Sequence, residues 1–286
     1  MKKLISLFAF ILLVVVTANS QNVSYKATEK VVSDDWENLL DKKLSKWEVW
    51  TGVPDPSVMG LPDGYEVPED GKPVEPIGLG DPMGIYKVTK ENGELVLNIS
   101  GQVYAGLTSK KEYKNYHMTL LFKWGEQKYA PRLEQKRDNG LLYHCYGEHG
   151  AFWNVWMRSL ETQIQEGDFG DLFILAGTQA KVKTDATEHW DPSSSNISKR
   201  GKRSVDAESP NGAWTRVDLY VIGDRAVHVT NGVVVLALTD AKKHDGQPLK
   251  KGRLQIQSEG AEAYAKDIQI RPIADFPEDI AQAAGF

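Results

Sequence analysis

The chain predicts an all-β fold, a sandwich or barrel of many short antiparallel strands. Three observations carry that expectation. Short runs of alternating apolar and polar residues recur, separated by Gly, Asn, Asp and Lys. Two of the separators, Gly223-Asp224 and Asn231-Gly232, have the composition of tight hairpin turns. Helical spacing is confined to residues 34–44 and the tail 277–284.

In chain order, segments 94–100, 116–124, 140–146, 160–165 and 171–175 are the strand candidates of the first half. Segments 214–222, 226–230 and 233–239 read as a three-stranded meander closed by the two hairpin turns. Segments 253–257 and 265–271 are expected to pair with each other across 258–263. Strands and turns at such short spacing favour a sandwich or a barrel. Two long irregular segments interrupt them. Residues 52–84 hold seven of the chain's 13 prolines, which bars them from a central strand. Residues 181–212 are polar and rich in Ser, Lys and Asp, and loops of such length are lids or surface inserts.

The N-terminus has the organisation of an export signal over residues 1–20. Lys2 and Lys3 precede an apolar run over 4–16, and Ala18-Asn19-Ser20 supplies small residues for cleavage before Gln21. The run is too short for a good membrane span, so the expected product is a periplasmic or secreted protein with no membrane span. Cys145 is the sole cysteine, which excludes an intramolecular disulfide. The formal net charge is −5 with both signs interspersed, a composition with no nucleic-acid footprint. The basic run Lys199-Arg200-Gly201-Lys202-Arg203 is the exception and reads as a solvated turn.

Strand alternation places polar groups in register. Side chains two apart share a face, so Glu161, Gln163 and Gln165 lie opposite Leu160 and Ile164. By the same rule Leu142, His144 and Tyr146 lie opposite Leu141, Tyr143 and Cys145. Arg253, Gln255 and Gln257 alternate against Leu254 and Ile256, with Glu259 just beyond. A carboxylate, amides, an imidazole and aromatic rings on neighbouring strands suit a polyhydroxylated ligand, which makes carbohydrate the expected partner. Trp153, Trp156 and Trp190 lie near these segments and could stack on sugar faces, although core packing explains most tryptophans. No Gly-x-Ser-x-Gly elbow, His-Glu-x-x-His pair, P-loop or Gly-x-Gly-x-x-Gly motif occurs.

A further pattern spans most of the chain. Trp47 is followed by Arg137-Asp138-Asn139-Gly140-Leu141-Leu142-Tyr143-His144, then by Trp156 through Gly167 (WMRSLETQIQEG). Gly212-Ala213-Trp214-Thr215, Val229-Thr230-Asn231-Gly232, Leu254 through Gly260 (LQIQSEG) and Lys266-Asp267-Ile268-Gln269-Ile270 complete it. In that order these motifs resemble the 3-keto-disaccharide hydrolase family, across roughly residues 34–273. The resemblance implies a concanavalin A-like, LamG-like jelly-roll β-sandwich of two curved antiparallel sheets whose concave face binds sugar. It also implies an exported protein acting on oxidised glycosides. Two steps depart from the family pattern. Asp138-Asn139-Gly140 stands where Asn-Ser-Gly or Asp-Ser-Gly is common, and Ala265-Lys266-Asp267 stands where an arginine is common, which removes bidentate geometry.

The chemistry implied is elimination rather than ordinary glycoside hydrolysis. A carbonyl at C3 acidifies the hydrogen on C2, and loss of that proton lets the C1 substituent leave. Such a site needs a base, donors or a metal for the enolate oxygen, and an acid for the leaving oxygen. It does not need the paired carboxylates of a conventional glycosidase. Glu161 is the candidate base or metal ligand, and His144 the candidate acid or metal ligand. Gln163 and Gln257 are candidate orienting groups, with Arg137, Glu259 and Trp156 as further substrate contacts. Arg137 and Asp138 equally suit an ion pair fixing their loop, and Glu148 and His149 are reserves. A divalent ion held by His144, Glu161 and a carboxylate such as Asp168 fits the residue types, although the spacing demonstrates none. The rival expectation is a non-catalytic carbohydrate-binding module on the same fold.

Overall fold

The structure, a computed structural model, describes residues 36–286. The expected export signal lies outside the described residues. Seventeen strands and one helix follow along these residues. They are β1 (Glu37–Asn38), β2 (Trp47–Thr51), β3 (Gly78–Leu79), β4 (Tyr86–Glu91), β5 (Glu94–Ile99) and β6 (Ala105–Ser109). Next come β7 (Tyr116–Lys128), β8 (Gly140–Tyr146), β9 (Arg158–Gln163), β10 (Leu172–Leu175), β11 (Gln179–Lys183) and β12 (Ile197–Ser198). The chain closes with β13 (Thr215–Ile222), β14 (Arg225–Thr230), β15 (Val233–Lys242), β16 (Arg253–Ser258), β17 (Ala261–Pro272) and α1 (Glu278–Ala284).

These strands form two antiparallel sheets. The larger has ten strands in the order β12-β11-β15-β14-β13-β7-β17-β5-β4, with β1 added against β17. The smaller has seven, in the order β10-β9-β8-β16-β6-β2-β3. The predicted meander is present as β13, β14 and β15, hydrogen-bonded in sequence. The sandwich follows from the alternation itself. Leu141, Tyr143, Leu160, Leu254 and Ile256 of the smaller sheet pack with Leu120, Phe122, Leu219, Val227 and Ala265 of the larger in one buried cluster. Burial of apolar area on this scale dominates the stabilisation of the fold.

Three expectations are corrected. Segments 253–257 and 265–271 do not pair: β16 belongs to the smaller sheet and β17 to the larger. The connection crosses between sheets because Gly260, at φ +75°, turns the chain and donates its N–H to Gly101 O. Residues 34–44 do not form a helix over their described part. Glu37 and Asn38 add to β17, and the Asp41 carboxylate accepts from the Lys43 and Ser45 amides, closing a turn. The third concerns His144. Its φ is +53°, and the register of β8 against β9 slips between Tyr143 and Tyr146. That bulge inverts the alternation beyond Tyr143. Cys145 therefore packs with Leu142 on the outer face, while His144 turns to the β13–β14 corner, its Nε2 3.1 Å from Gly223 O.

A polar bridge between the sheets lies in the core beside Tyr143. His228 of β14 is fully buried, its Nδ1 2.9 Å from Gly170 O and its Nε2 2.9 Å from the Tyr143 hydroxyl of β8. A neutral imidazole that donates from Nδ1 and accepts at Nε2 satisfies all three groups. Among the described residues no helix is long and apolar enough to cross a membrane.

Candidate functional site

The face of the smaller sheet turned away from the core carries the polar residues. In β9, Leu160 faces the core, so Glu161 and Gln163 alternate with it and face outward. In β16, Leu254 and Ile256 face the core, so Gln255 and Gln257 face outward. The register sets Leu142 between Gln255 and Glu161, and Gly140 beside Gln163. Gly140 is the pivot. A Cβ there would lie 1.9 Å from Glu161 Oε1 and 2.5 Å from Gln257 Oε1. The carboxyl of one strand and the amide oxygen of another thus converge over a residue that must lack a side chain. Asn139 holds that geometry, its amide donating to Gln257 O at 2.6 Å and its Oδ1 accepting from Gly140 N.

Around this point lies a cluster of buried charge. Asp138 and Glu259 are joined by an isolated antiparallel bridge. The Arg132 guanidinium links their carboxylates, with Nη2 2.5 Å from Asp138 Oδ2 and 2.6 Å from Glu259 Oε1. Gln165 Nε2 donates to the same Asp138 oxygen at 2.6 Å. Burial pushes the Glu161 carboxyl well above the usual carboxylate range, and the charges of Glu259 and Asp138 add to the rise against the opposing effect of Arg132. Burial and then Asp138 raise Glu259 to about 8, and burial raises Asp138 to about 6. One cation therefore serves three carboxyl groups, and the cluster retains protons near neutrality. Two buried acceptors, Asp138 Oδ1 and Gln257 Oε1, have no hydrogen-bond partner. Such atoms are costly unless something donates to them.

Aromatic rings flank the cluster. The Tyr104 hydroxyl accepts from Arg132 Nε at 3.2 Å, and its ring stacks on Trp156 with centroids 5.7 Å apart. Trp156 meets Trp153, which is 64 % exposed, at 5.6 Å. The loop carrying these tryptophans is fastened by Gln255, whose Oε1 accepts from Met157 N while its Nε2 donates to Thr108 Oγ1. On the far side Glu48 accepts from Arg253 and pairs with His149 Nε2 at 3.0 Å, and Trp50 stacks on the His149 ring.

The sequence-derived candidates separate into two groups. Glu161, Gln163, Gln257 and Glu259 come together, with Trp156 beside them. His144 does not join Glu161; it is buried on the other side of the bulge, and burial pushes its imidazole down to about 4. Arg137 binds Gly125 O and pairs with Glu166 at 3.3 Å, which makes it a loop anchor. Asp168 pairs with Lys136 and Arg203, so the trio His144, Glu161 and Asp168 does not gather around an ion. Among the described residues no group of three His, Cys, Asp or Glu side chains suits a metal ion. Trp190 packs in the core, and Lys266 pairs with Glu94 at 2.7 Å on the larger sheet. Arg132 and Tyr104 went unnoticed in the sequence because both precede or follow strands in segments without periodicity. Glu259 lies 127 residues beyond Arg132, so no local spacing signals their pairing.

With this geometry in hand, similarity to known proteins is informative. The chain superposes on a protein of Parabacteroides distasonis ATCC 8503 described as a candidate glycosyl hydrolase, with TM-score 0.50 and 15 % identity, covering 86 % of this chain and 97 % of that one. A Bacillus subtilis protein with a galectin-like fold gives TM-score 0.45 and 13 % identity, over 82 % and 94 % of the two chains. The CBM66 carbohydrate-binding module of Bacillus subtilis gives 0.42 and 7 %, over 65 % and 91 %. At such identities the likeness concerns the fold. No curated protein matches the chain. The model of the 3-keto-alpha-glucoside-1,2-lyase-like domain matches residues 35–271, and the chain belongs to that family.

Proposed function

We propose that this protein cleaves 3-keto-glycosides by elimination and hydration, with Glu161 as the base. The observation that carries this reading is the convergence of a buried carboxyl and a partnerless amide oxygen over Gly140, beside a proton-holding carboxyl pair. A sugar hydroxyl donating to Gln257 Oε1 would satisfy that acceptor and fix the ring. Gln163 has its Oε1 occupied by Ile164 N, which leaves its amide hydrogens for the keto oxygen.

The steps follow from charge. Glu161 removes the proton on C2, and the electron pair moves toward the C3 carbonyl as an enolate. The C1–O bond then breaks, the electron pair re-forms the carbonyl, and a C1–C2 double bond conjugated with it remains. Glu259, held protonated by burial and by Asp138, supplies the proton to the departing oxygen. Water then adds at C1 and gives its proton to Glu259, while C2 takes a proton from Glu161 after that carboxyl has exchanged with water, completing net hydrolysis. Desolvation matters twice: it makes the Glu161 carboxylate a stronger base, and it strengthens each interaction with developing charge. An export signal over residues 1–20, expected from the sequence, would bring the protein to such substrates outside the cytoplasm.

The test is incubation with a 3-keto-disaccharide beside the unoxidised disaccharide. Release of the second sugar from the oxidised substrate alone supports the reading. Cleavage of both points to an ordinary glycosidase, and binding without release to a carbohydrate-binding module.

A further inference from the structure

The basic run 199–203 does more than turn the chain. It lies along the free edge of β10, where Leu172 N donates to Gly201 O at 2.9 Å. Together with Phe173, Ile174, Thr178, Gln179 and Glu188, the segment lines a cleft of about 550 Å³, within the range of small-molecule sites. Arg203 is committed elsewhere, to Asp168 and Asp171 at 3.1 and 3.0 Å, and so neutralises the Asp171 carboxylate at the cleft. Lys199, Arg200 and Lys202 are exposed cleft residues, and among the described residues no ion pair engages them. Three cations thus face one uncompensated carboxylate, Glu188.

The cleft is also apolar on one side and close to the candidate site. Phe173 is 51 % exposed and is the register partner of Glu161 in the adjacent strand. Directly opposed residues of an antiparallel pair project on the same face with Cβ atoms about 5 Å apart. The exposed ring therefore lies on the outer face of the smaller sheet, one strand from Glu161, with the cations beyond it. An aromatic face beside unpaired cations, an amide and a hydroxyl matches a ring that is apolar on one side and anionic at its rim.

We propose that this cleft is a second subsite for a negatively charged saccharide, a sugar unit carrying a carboxylate or a sulfate. The choice of a saccharide rests on the sugar-site reading of the neighbouring face. Continuity with Glu161 makes the charged unit part of the molecule whose neighbouring sugar is cleaved, so the cleft selects among glycosides.

The test is calorimetric titration of the intact protein at low and at raised salt with trigalacturonate, a sulfated disaccharide, neutral cellotriose and inorganic sulfate. At least one charged saccharide is expected to bind ten-fold or more tightly than cellotriose and than sulfate, with affinity falling as salt rises. The stronger of the two identifies the anionic group. Replacing Lys199, Arg200 and Lys202 together by Ala should cost ten-fold or more, and Phe173→Ala several-fold, with thermal melts unchanged. Equal binding of neutral and charged saccharides, sulfate binding as tightly as either, or an unaffected triple variant would each overturn the proposal. Absence of wild-type turnover on every 3-keto-glycoside tried, with charged-saccharide binding intact, would remove the catalytic reading and leave the cleft standing.

Discussion

Two buried polar assemblies lie on opposite sides of the smaller sheet, and they are built on opposite terms. On the core side, Tyr143, His228 and Gly170 O form a closed chain in which each donor meets an acceptor. On the outer side, Asp138, Glu161 and Glu259 share one guanidinium, and two acceptors go without donors. The first arrangement stabilises the fold and offers nothing to a ligand. The second costs stability and is complete only when something else brings hydrogen-bond donors, as expected of sites that trade stability for function. The same strand, β8, contributes Tyr143 to one and Gly140 to the other. The contrast is therefore set by single-residue alternation rather than by distance.

The sharpest way to break this contrast is Glu161→Gln. The amide keeps the volume and removes the titratable carboxyl, so turnover of a 3-keto-disaccharide should fall about 10²–10⁴-fold, the usual contribution of a positioned acid or base. Stability should not fall, and steady-state kinetics beside a urea melt would show both. Tyr143→Phe should behave in reverse. It leaves His228 Nε2 buried without a partner, costing about 1–3 kcal/mol in the urea melt, with turnover per folded molecule preserved.

The pH dependence of stability separates the two assemblies by sign. His228 and His144 are pushed down to about 4 by burial, so the folded state binds their protons less readily than the unfolded state does. Their contribution is full above about pH 6.5 and is lost as pH falls through about 4, on the order of 3 kcal/mol for each. Glu161 and Glu259 are raised, so the folded state binds their protons more readily. Their contribution is full below about pH 4.5 and is lost as pH rises, through about 8 for Glu259. Thermal melts from pH 4 to 9 should therefore show a maximum, and Glu161→Gln should lift the alkaline side alone.

Smaller effects refine the comparison. Arg132→Met withdraws the shared cation, so the carboxyl groups should hold their protons to higher pH. The basic limb of the rate profile should then move up by on the order of one pH unit. Lys266→Ala, on the larger sheet, should change turnover little and stability by less than about 0.5 kcal/mol in the same melt. A large effect of Lys266→Ala on turnover would show that the site extends to the other sheet.

How much of this was legible in the sequence depended on whether alternation persisted. It persists through β9 and β16, so the outward placement of Glu161, Gln163 and Gln257 follows from Leu160, Leu254 and Ile256 without a structure. It fails at His144, because a bulge leaves no compositional mark when the residue at positive φ is a histidine, a type tolerated there. Strand β6 is hidden for a different reason. Ala-Gly-Leu-Thr-Ser is buried on both faces and shows no apolar–polar alternation. Arg132 was invisible because its role arises only when two distant segments, 138 and 259, are brought side by side.

The most direct measurement follows the hydrogen on C2. A 3-keto-disaccharide deuterated at C2 should lose its label to water as the second sugar is released by the wild type, with Glu161→Gln abolishing both. Release with the deuterium retained, or label loss that continues unchanged in Glu161→Gln, would contradict the role assigned to this carboxyl.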